Sequence, residues 1–494
     1  MWEVSEAMKR SSGDKVSVAM TSIIIDVKSA HKRILIQEFD GGLMFFKVGE
    51  TLYRYKVCHF GGRWSAWRWA RTGAFLHRMV HRIIYHYHFG FLYVDDWLLL
   101  VPESIAFLDA SLAITMLLVL GCPLSWSKIQ VGSVTTYLGF GINTRDRTLF
   151  LSEDKKQKAI SFLMTLARGQ RIKRKALEEG IGFLLWVSAA AKHLRPWLAP
   201  FFHNLHRAAL KPKRFSTAQL KELKANVDTS LTVSKSCDLS DVRVGWKIHA
   251  VGRWQARSIK DLDTPMLKEG RVDISFRCHD SEKTRVSDET AMAADFWTRS
   301  LQEAPSLIQC AEAALLPGSG AADAWADDQT SGLGGWWSIL KNPQPQDIYW
   351  FRLEVLPSDF PPFFQMSRLA QSDISFYEAF AQAILANARL ASCQHAPGVV
   401  GFRQRCDNMP AVGASAKLFS SKAPMCFAMQ ALSHVCTKWQ ADATISHLAG
   451  SKNIWADKLS RFREPKSQDL FRVLDPSREV KFDLSTFVKQ VWGK

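Results

Sequence analysis

The stretch FGFLYVDDWLLLV, residues 89–101, sets two adjacent aspartates between two strongly apolar runs. The flanks have the composition of buried strands, so the segment reads as a hairpin with Asp95 and Asp96 at its tip. Carboxylates beside buried strands are costly unless something repays them, such as a bound cation. A chain carrying this segment must therefore fold with the strand ends opening to solvent and with other charged groups brought to the same end.

Asp26 closes another apolar strand, SIIIDV, 69 residues before Asp95. If the two strands lie side by side, Asp26 and Asp95 can converge on divalent ions. Mg²⁺ takes one or two carboxylates plus substrate phosphates, which suits acids at open strand ends. Two such ions, about 3.5–4 Å apart, stabilise the attacking and leaving oxygens of a phosphoryl transfer.

Around these acids the chain reads as β-α-β-α-ββ-α-β. Strand, helix and strand occupy 16–50, a basic helix 66–88, the hairpin follows, then a helix over 105–120 and a strand pair around TTYLGFGINTRDRTLFL. The apolar segment 105–121 carries Asp109 and reads as a packed helix, too short for a comfortable membrane span. From Ser152 the pattern turns helical, with Ile160, Leu163 and Ala167 on one face. The runs RGQRIKRK (168–175) and KPKRF (211–215) concentrate positive charge and point to phosphate contacts. Residues 216–320 carry little signal, and AALLPGSGAADA (313–324) reads as a linker.

A net charge of +17 calls for a polyanionic partner, nucleic acid first and an anionic membrane second. Nine cysteines, an odd number without a CxxC pair, indicate neither a disulfide framework nor a zinc ribbon and imply a reducing intracellular compartment, nucleus or cytoplasm. The N-terminus lacks the apolar core of a secretory signal.

A second set of acids lies in the C-terminal third. Asp323 is on a strand before a Gly-rich turn, Glu378 in an amphipathic helix, Asp407 at a strand end and Asp457 early in a helix that Asn453 can cap. Acids on separate elements that converge can hold two Mg²⁺ for phosphodiester hydrolysis. His447, ten residues before Asp457, can relay a proton to or from a leaving group. Asp327 and Asp328 compete with Asp323 for the first position. Cys426, His434, Cys436 and His447 have no common zinc-ligand spacing, and GLGGWW has no strand-GxGxxG-helix context.

These motifs carry a family resemblance. YVDD between apolar strands resembles the reverse transcriptase signature. IIIDVKSAHKRILIQ resembles the segment bearing the first catalytic Asp, and FGGRWSAWRWARTGAFLHR the template- and nucleotide-contacting segment, with Phe60, Gly61 and Ser65 at its core. LGCPLSWSKIQVG resembles the motif whose lysine, here Lys128, lies near the departing pyrophosphate, and TTYLGF the primer-gripping hairpin. DAWADDQTSGLGGWW, FYEAFAQAILA, CDNMPAVGASAKL and ISHLAGSKNIWADKLSR resemble ribonuclease H, and the order fits a retrotransposon polyprotein of the DIRS-like or LTR type. His31 stands where the family usually has the aromatic that rejects a 2′-OH, Ser29 stands where an acid is common, and only 25 residues precede Asp26, so the family's fingers are expected to be largely absent.

The resemblance implies an α/β (α+β) protein: a partial palm over 1–150, a basic helical thumb over 151–215, a connection over 216–318, a ribonuclease H-like mixed-sheet domain over 319–465 and a tail over 466–494. It implies Mg²⁺ or Mn²⁺ held by Asp26, Asp95 and Asp96 for polymerisation and by Asp323, Glu378, Asp407 and Asp457 for RNA cleavage. Lys128, Ser65 and His31 would contact the nucleotide. The implied partners are an RNA template, a DNA primer, their hybrid and dNTPs, with no membrane. Two readings stay open: an RNA-directed DNA polymerase with ribonuclease H activity, or a catalytically inactive remnant that binds nucleic acid.

Overall fold

The computed structural model describes residues 19–39, 45–59, 61–209, 211–216, 220–224, 230–233, 247–251, 254–255, 271–277, 283–303, 308–309, 314–392, 400–439 and 441–493. Phe60, Gly41–Gly42 and most of 225–270 lie outside them. The protein is mixed α/β and divides into two compact units, 1–155 with 305–312, and 156–304 with 313–494.

In the first unit, β1 (Met20–Asp26) precedes the long helix α1 (Arg63–Ile83), the hairpin β2 (Phe89–Tyr93) and β3 (Asp96–Pro102), α2 (Ala106–Val119) and the short β4 (Gln130–Gly132). The sheet order is β2-β3-β1-β4, antiparallel throughout, with β1 and β3 central. Those central strands read as unbroken apolar runs because both faces are covered. Ile23, Ile25, Trp97, Leu99 and Val101 pack with Trp69, Leu76 and Val80 of α1 and with Ala106, Ala110, Ala113 and Leu117 of α2. Ile24, Leu98 and Leu100 pack on the other side with Ile142.

The helix expected over 105–120 packs by one face only, and Phe107 and Val119 are exposed. Among the described residues no helix is long and apolar enough to cross a membrane. The segment around TTYLGF holds three strands rather than two: β5 (Val134–Tyr137), β6 (Phe140–Asn143) and β7 (Thr148–Phe150). Leu138 and Gly139 both have positive φ, the two-residue hairpin geometry that matches strand twist.

The second unit opens with helices: α3 (Glu153–Met164, starting at the unit boundary), α4 (Arg174–Ala190), α5 (Ala199–Ala209) and α6 (Asp288–Glu303). Ala167 lies beyond α3 and is exposed; Leu166 is the residue buried with Ile160 and Leu163. KPKRF is a strand, Lys211–Ser216, and not part of a helix.

The rest of the unit is a mixed sheet clasped by helices. Its strands are β8 (Ser319–Ala326), β9 (Ser331–Ser338), β10 (Tyr349–Val355), β11 (Val400–Cys406) and β12 (Ala441–His447). Their order is β12-β11-β8-β9-β10, with a two-residue strand, Ala314–Leu315, also on β11. The helices are α7 (Ile374–Ser392), α8 (Met409–Lys417), α9 (Met425–Lys438), α10 (Ile454–Ser460) and α11 (Leu484–Trp492). The small residues expected to form a linker are the buried start of β8: Ala321 and Ala322 are fully buried, and a Cβ on Gly320 would lie 2.7 Å from the Trp336 carbonyl oxygen. Small side chains here serve close backbone packing, which a composition reading takes for flexibility.

The same device seats α10 on the sheet. A Cβ on Gly332 would stand 2.0 Å from the Ser460 carbonyl oxygen, and one on Gly334 would stand 2.3 Å from the Ser460 nitrogen. Both neighbours are backbone, so neither can swing aside. Gly334→Ala is therefore expected to lower stability by about 1–3 kcal/mol through overpacking. Gly182→Ala, in α4 with nothing within 4 Å of the new Cβ, should stabilise by up to about 1 kcal/mol. Thermal unfolding of the two variants beside the wild type measures the contrast.

Candidate functional site

The antiparallel register sets Asp26, the last residue of β1, directly opposite Asp96, the first of β3. Between β2 and β3 the loop is two residues, Val94 and Asp95, because Tyr93 pairs with Asp96. Val94 has φ +56°, a conformation that costs a β-branched residue energy. Two bonds hold it there: the Trp69 indole donates to the Val94 carbonyl at 2.6 Å, and the Val27 amide donates to the Asp95 carbonyl at 3.0 Å. The tip is thus pinned from α1 and from the end of β1.

Asp26 is buried, and burial acts first to raise its pKa. Hydrogen bonds to Ser125, Lys128 and Asp96, with the Lys128 charge, outweigh it and hold Asp26 below the ordinary aspartate range. Lys128 Nζ donates to Asp26 Oδ2 at 3.0 Å from a side chain that is 65% exposed. Asp96 goes the other way, pushed up to about 6 by burial, by its hydrogen bond to Asp26 and by the charges of Asp95 and Asp26. A proton on Asp96 donated to ionised Asp26 accounts for both shifts. The Tyr137 hydroxyl donates to the Asp96 carbonyl at 3.4 Å and is itself pushed up to about 12, by burial and then by the Asp96 charge.

The two other residues assigned here meet each other. His31 Nδ1 donates to the carbonyl of Ser65 at 3.2 Å, and Ser65 is buried. The His31 ring stands edge-on to Trp69, with centroids 6.4 Å apart, which links it to the hairpin tip through the indole.

In the second unit β8, α7, β11 and α10 each bring one acid. Glu378 and Asp407, with the Cys406 thiol between them, have ligand atoms within 4.8 Å of one another; among the described residues this is the one His/Cys/Asp/Glu group of metal-holding geometry. Asp323 is buried and pushed up to about 7, by burial first and then by the charges of Asp407 and Asp457. Glu378 is pushed up to about 8 by burial and by Asp323 and Asp407. Asp323 thus feels both Asp407 and Asp457, and Glu378 feels Asp323 and Asp407, though Asp457 is also paired with Arg461 at 2.7 Å.

Asn453 does not cap α10 with its side chain. Its Nδ2 donates instead to Asp323 Oδ2 at 3.1 Å, while its buried Oδ1 has no hydrogen-bond partner. The Asn408 side chain accepts from Ala411 and caps α8, and lowers Glu378 against the larger effect of burial. His447 is the last residue of β12, opposite Cys406 in register, and is exposed; the expectation of a loop position is one residue out. Asp327 folds its own turn, accepting from the Gln329 and Thr330 amides at 2.7 Å each, and Asp328 accepts from Gln371. The competing aspartates are thus engaged away from the acid cluster.

Sequence reasoning missed Cys406, whose only signal is that it precedes Asp407. Burial pushes its thiol up to about 12, so it stays protonated near neutral pH and leaves the carboxylate oxygens as the donors. Hard oxygen donors suit Mg²⁺ or Mn²⁺. Cys426 and Cys436, weighed for zinc, are buried in α9 with thiols also pushed up to about 12 by burial.

No protein-family profile matches the chain, and no curated protein matches it. Solved structures similar to it include the foamy viral protease-reverse transcriptase dRH in complex with double-stranded DNA, at 12% identity and TM-score 0.38, covering 88% of this chain and 58% of that one. Another is the foamy viral protease-reverse transcriptase in complex with an RNA/DNA hybrid, at 12% identity and TM-score 0.29, covering 90% and 67%. A third is telomerase from Candida albicans with a fragment of telomeric RNA, at 11% identity and TM-score 0.24, covering 34% and 38%. Every one of these TM-scores is below one half, too low for the likeness to carry an argument about activity.

Raised carboxyl pKa values make stability fall as pH rises. Between the unfolded value near 4 and the folded values near 7 and 8, the folded state binds protons that the unfolded chain has released. In metal-free buffer, thermal stability of the second unit should decline from pH 5 to pH 8. Asp407→Asn removes one repelling charge and should flatten that decline, by on the order of 1 kcal/mol for each unit of pKa relieved. Melting curves of both proteins across this range check it.

Proposed function

We propose that the chain is the reverse transcriptase and ribonuclease H part of a retroelement polyprotein, acting on RNA–DNA hybrids by two-metal phosphoryl transfer. The observation that carries the reading is the elevation of both Asp323 and Glu378 beside Asp407, with Asp457 acting on Asp323: four acids on separate elements, gathered at an energetic cost that a divalent cation would offset. In this reading 1–150 is a partial palm, 151–215 a thumb, 216–318 a connection, 319–465 a ribonuclease H-like domain and 466–494 its tail.

Asp323, Glu378, Asp407 and Asp457 would hold Mg²⁺ or Mn²⁺ in the second unit, and Asp26, Asp95 and Asp96 in the first. The ion, when bound, supplies charge stabilisation to the phosphorane-like oxygens and an activated water or hydroxyl. Asn453 holds Asp323 in orientation through its amide, as an outer-shell partner does. His447, exposed beside the Asp407 strand end, would give a proton to the leaving oxygen. Lys128 would meet the negative charge of the departing pyrophosphate. Ser65 and His31 would border the nucleotide, with His31 oriented by the Ser65 carbonyl. The basic runs would contact the hybrid's phosphates, and the net charge of +17 supports such a partner.

One observation favours the non-catalytic reading for the first unit. The Lys128 ammonium already sits on Asp26, and Asp96 takes a proton at modest acidity, so the three acids there can be balanced without an ion. Activity separates the readings. With Mg²⁺, the wild type is expected to cleave the RNA strand of a labelled RNA–DNA hybrid, and Asp407→Asn to slow cleavage by on the order of 10²-fold or more. Primer extension on an RNA template, compared with Asp95→Asn, tests the first unit by itself. A folded wild type that binds the hybrid without cleaving or extending it would establish the remnant reading.

A further inference from the structure

Between α1 and the β2–β3 hairpin, three imidazoles and an indole form an ordered row that ends on a backbone carbonyl. The Trp97 indole donates to His77 Nδ1 at 3.1 Å. His77 Nε2 lies 3.0 Å from His81 Nε2, His81 Nδ1 lies 2.5 Å from His88 Nε2, and His88 Nδ1 lies 2.8 Å from the His86 carbonyl. The two ends fix every proton between them. An indole only donates, so His77 Nδ1 accepts and His77 carries its proton on Nε2. A carbonyl only accepts, so His88 carries its proton on Nδ1 and accepts at Nε2. His81 must then accept from His77 at Nε2 and donate to His88 from Nδ1. One set of neutral tautomers satisfies all four contacts.

The row is built in by the backbone. A Cβ on Gly90 of β2 would stand 2.6 Å from His81 Nε2 and 2.8 Å from the nearest His77 ring carbon, so a larger residue would displace both rings. His77 and His81 are on α1, Trp97 is on β3, and His88 leads into β2. We propose that this row is an acid-released latch: neutral, it ties α1 to both strands of the hairpin that carries Asp95 and Asp96, and protonation undoes it. A proton added at any ring turns an acceptor into a donor and sets two N–H groups against each other.

The Gly90 carbonyl favours a proton on His77, but burial outweighs it. The charged groups acting on His77 and His81 are other imidazoles of the row; β2 contributes the Gly90 carbonyl, β3 the neutral indole. Asp109 of α2, fully buried, faces His86, whose Nδ1 is 3.3 Å from its Oδ1. Arg78 and Arg82 on α1 are exposed and add no negative charge. Burial first, then imidazole neighbours, hold His81 down at about 4 and His77 below its ordinary value. The unfolded segment therefore takes up protons from about pH 6.5 downward that the latched hairpin refuses, so stability is complete above that pH and falls toward pH 4. A transition metal on the i, i+4 pair is the competing use, but Trp97 donating to Nδ1 leaves the hydrogen of His77 on Nε2, where the metal would have to bind.

Hydrogen exchange of the full chain tests the latch, and the inference stands whether or not the carboxylates hold metal. After correction for intrinsic rates, protection of amides in residues 89–100 should fall on the order of tenfold or more from pH 7 to pH 5, and His81→Gln should remove most of that fall. An unchanged protection in the wild type, or an equal fall in the variant, overturns the proposal. Should His81→Gln lose protection already at pH 7, imidazole ¹⁵N spectra of the wild type decide. Neutral His81 protonated on Nδ1 at pH 6 supports the latch; a charged His81, the opposite tautomer, or coordination of added Zn²⁺ by the row refutes it.

Discussion

Like charges brought together out of water are the constraint around which both ends of this protein are arranged. A carboxylate beside an apolar strand loses hydration, and a second one nearby adds repulsion. The first unit meets the problem with opposite charge and proton sharing: Lys128 on Asp26, and a protonated Asp96 donating to the same acid. The second unit has less to offer. Arg461 serves Asp457, while Asp323 and Glu378 are left to take up protons near neutrality. The same residue type therefore titrates over a wide range within one chain, set by partners and not by sequence.

Holding acids in such places demands rigid backbone, and each unit secures it by close approach. In the first, a valine with positive φ is kept in a two-residue turn by an indole from α1 and an amide from β1. In the second, glycines on β9 let α10 press backbone against backbone, which fixes where Asp457 and Asn453 stand relative to β8. Strain and tight packing recur where side chains must be held against their own repulsion, as pre-organised sites require.

Much of this was legible in the residues. The apolar runs around the Asp pair marked β2 and β3; for the central β3 both sheet faces are buried, which leaves no polar alternation. The amphipathic pattern of 372–391 marked α7, and the acids on strand ends were found as acids. What stayed hidden has a common physical cause: it depends on what comes near in space. The start of β8 read as a linker because Gly and Ala were taken for freedom, when Trp336 and its strand need the room. Cys406 was missed because a thiol beside Asp407 in sequence acquires meaning only from Glu378 beside it in space. Asn453 was read by its position before a helix, yet Asp323, 130 residues earlier, takes its amide.

The imidazole row extends that lesson. His77 and His81 stand at the i, i+4 spacing that metal-binding helices use, with His86 and His88 close behind. A single indole, twenty residues further on, sets that use aside by deciding where one proton resides. Once His77 is an acceptor at Nδ1, each neighbour's tautomer follows in turn, and the tract becomes a set of neutral hydrogen bonds whose strength depends on remaining neutral. Direction in a hydrogen-bond chain is thus a long-range property set at its ends, so Trp97 governs His88 without touching it, and the chemistry open to the whole row is set by a residue that cannot titrate.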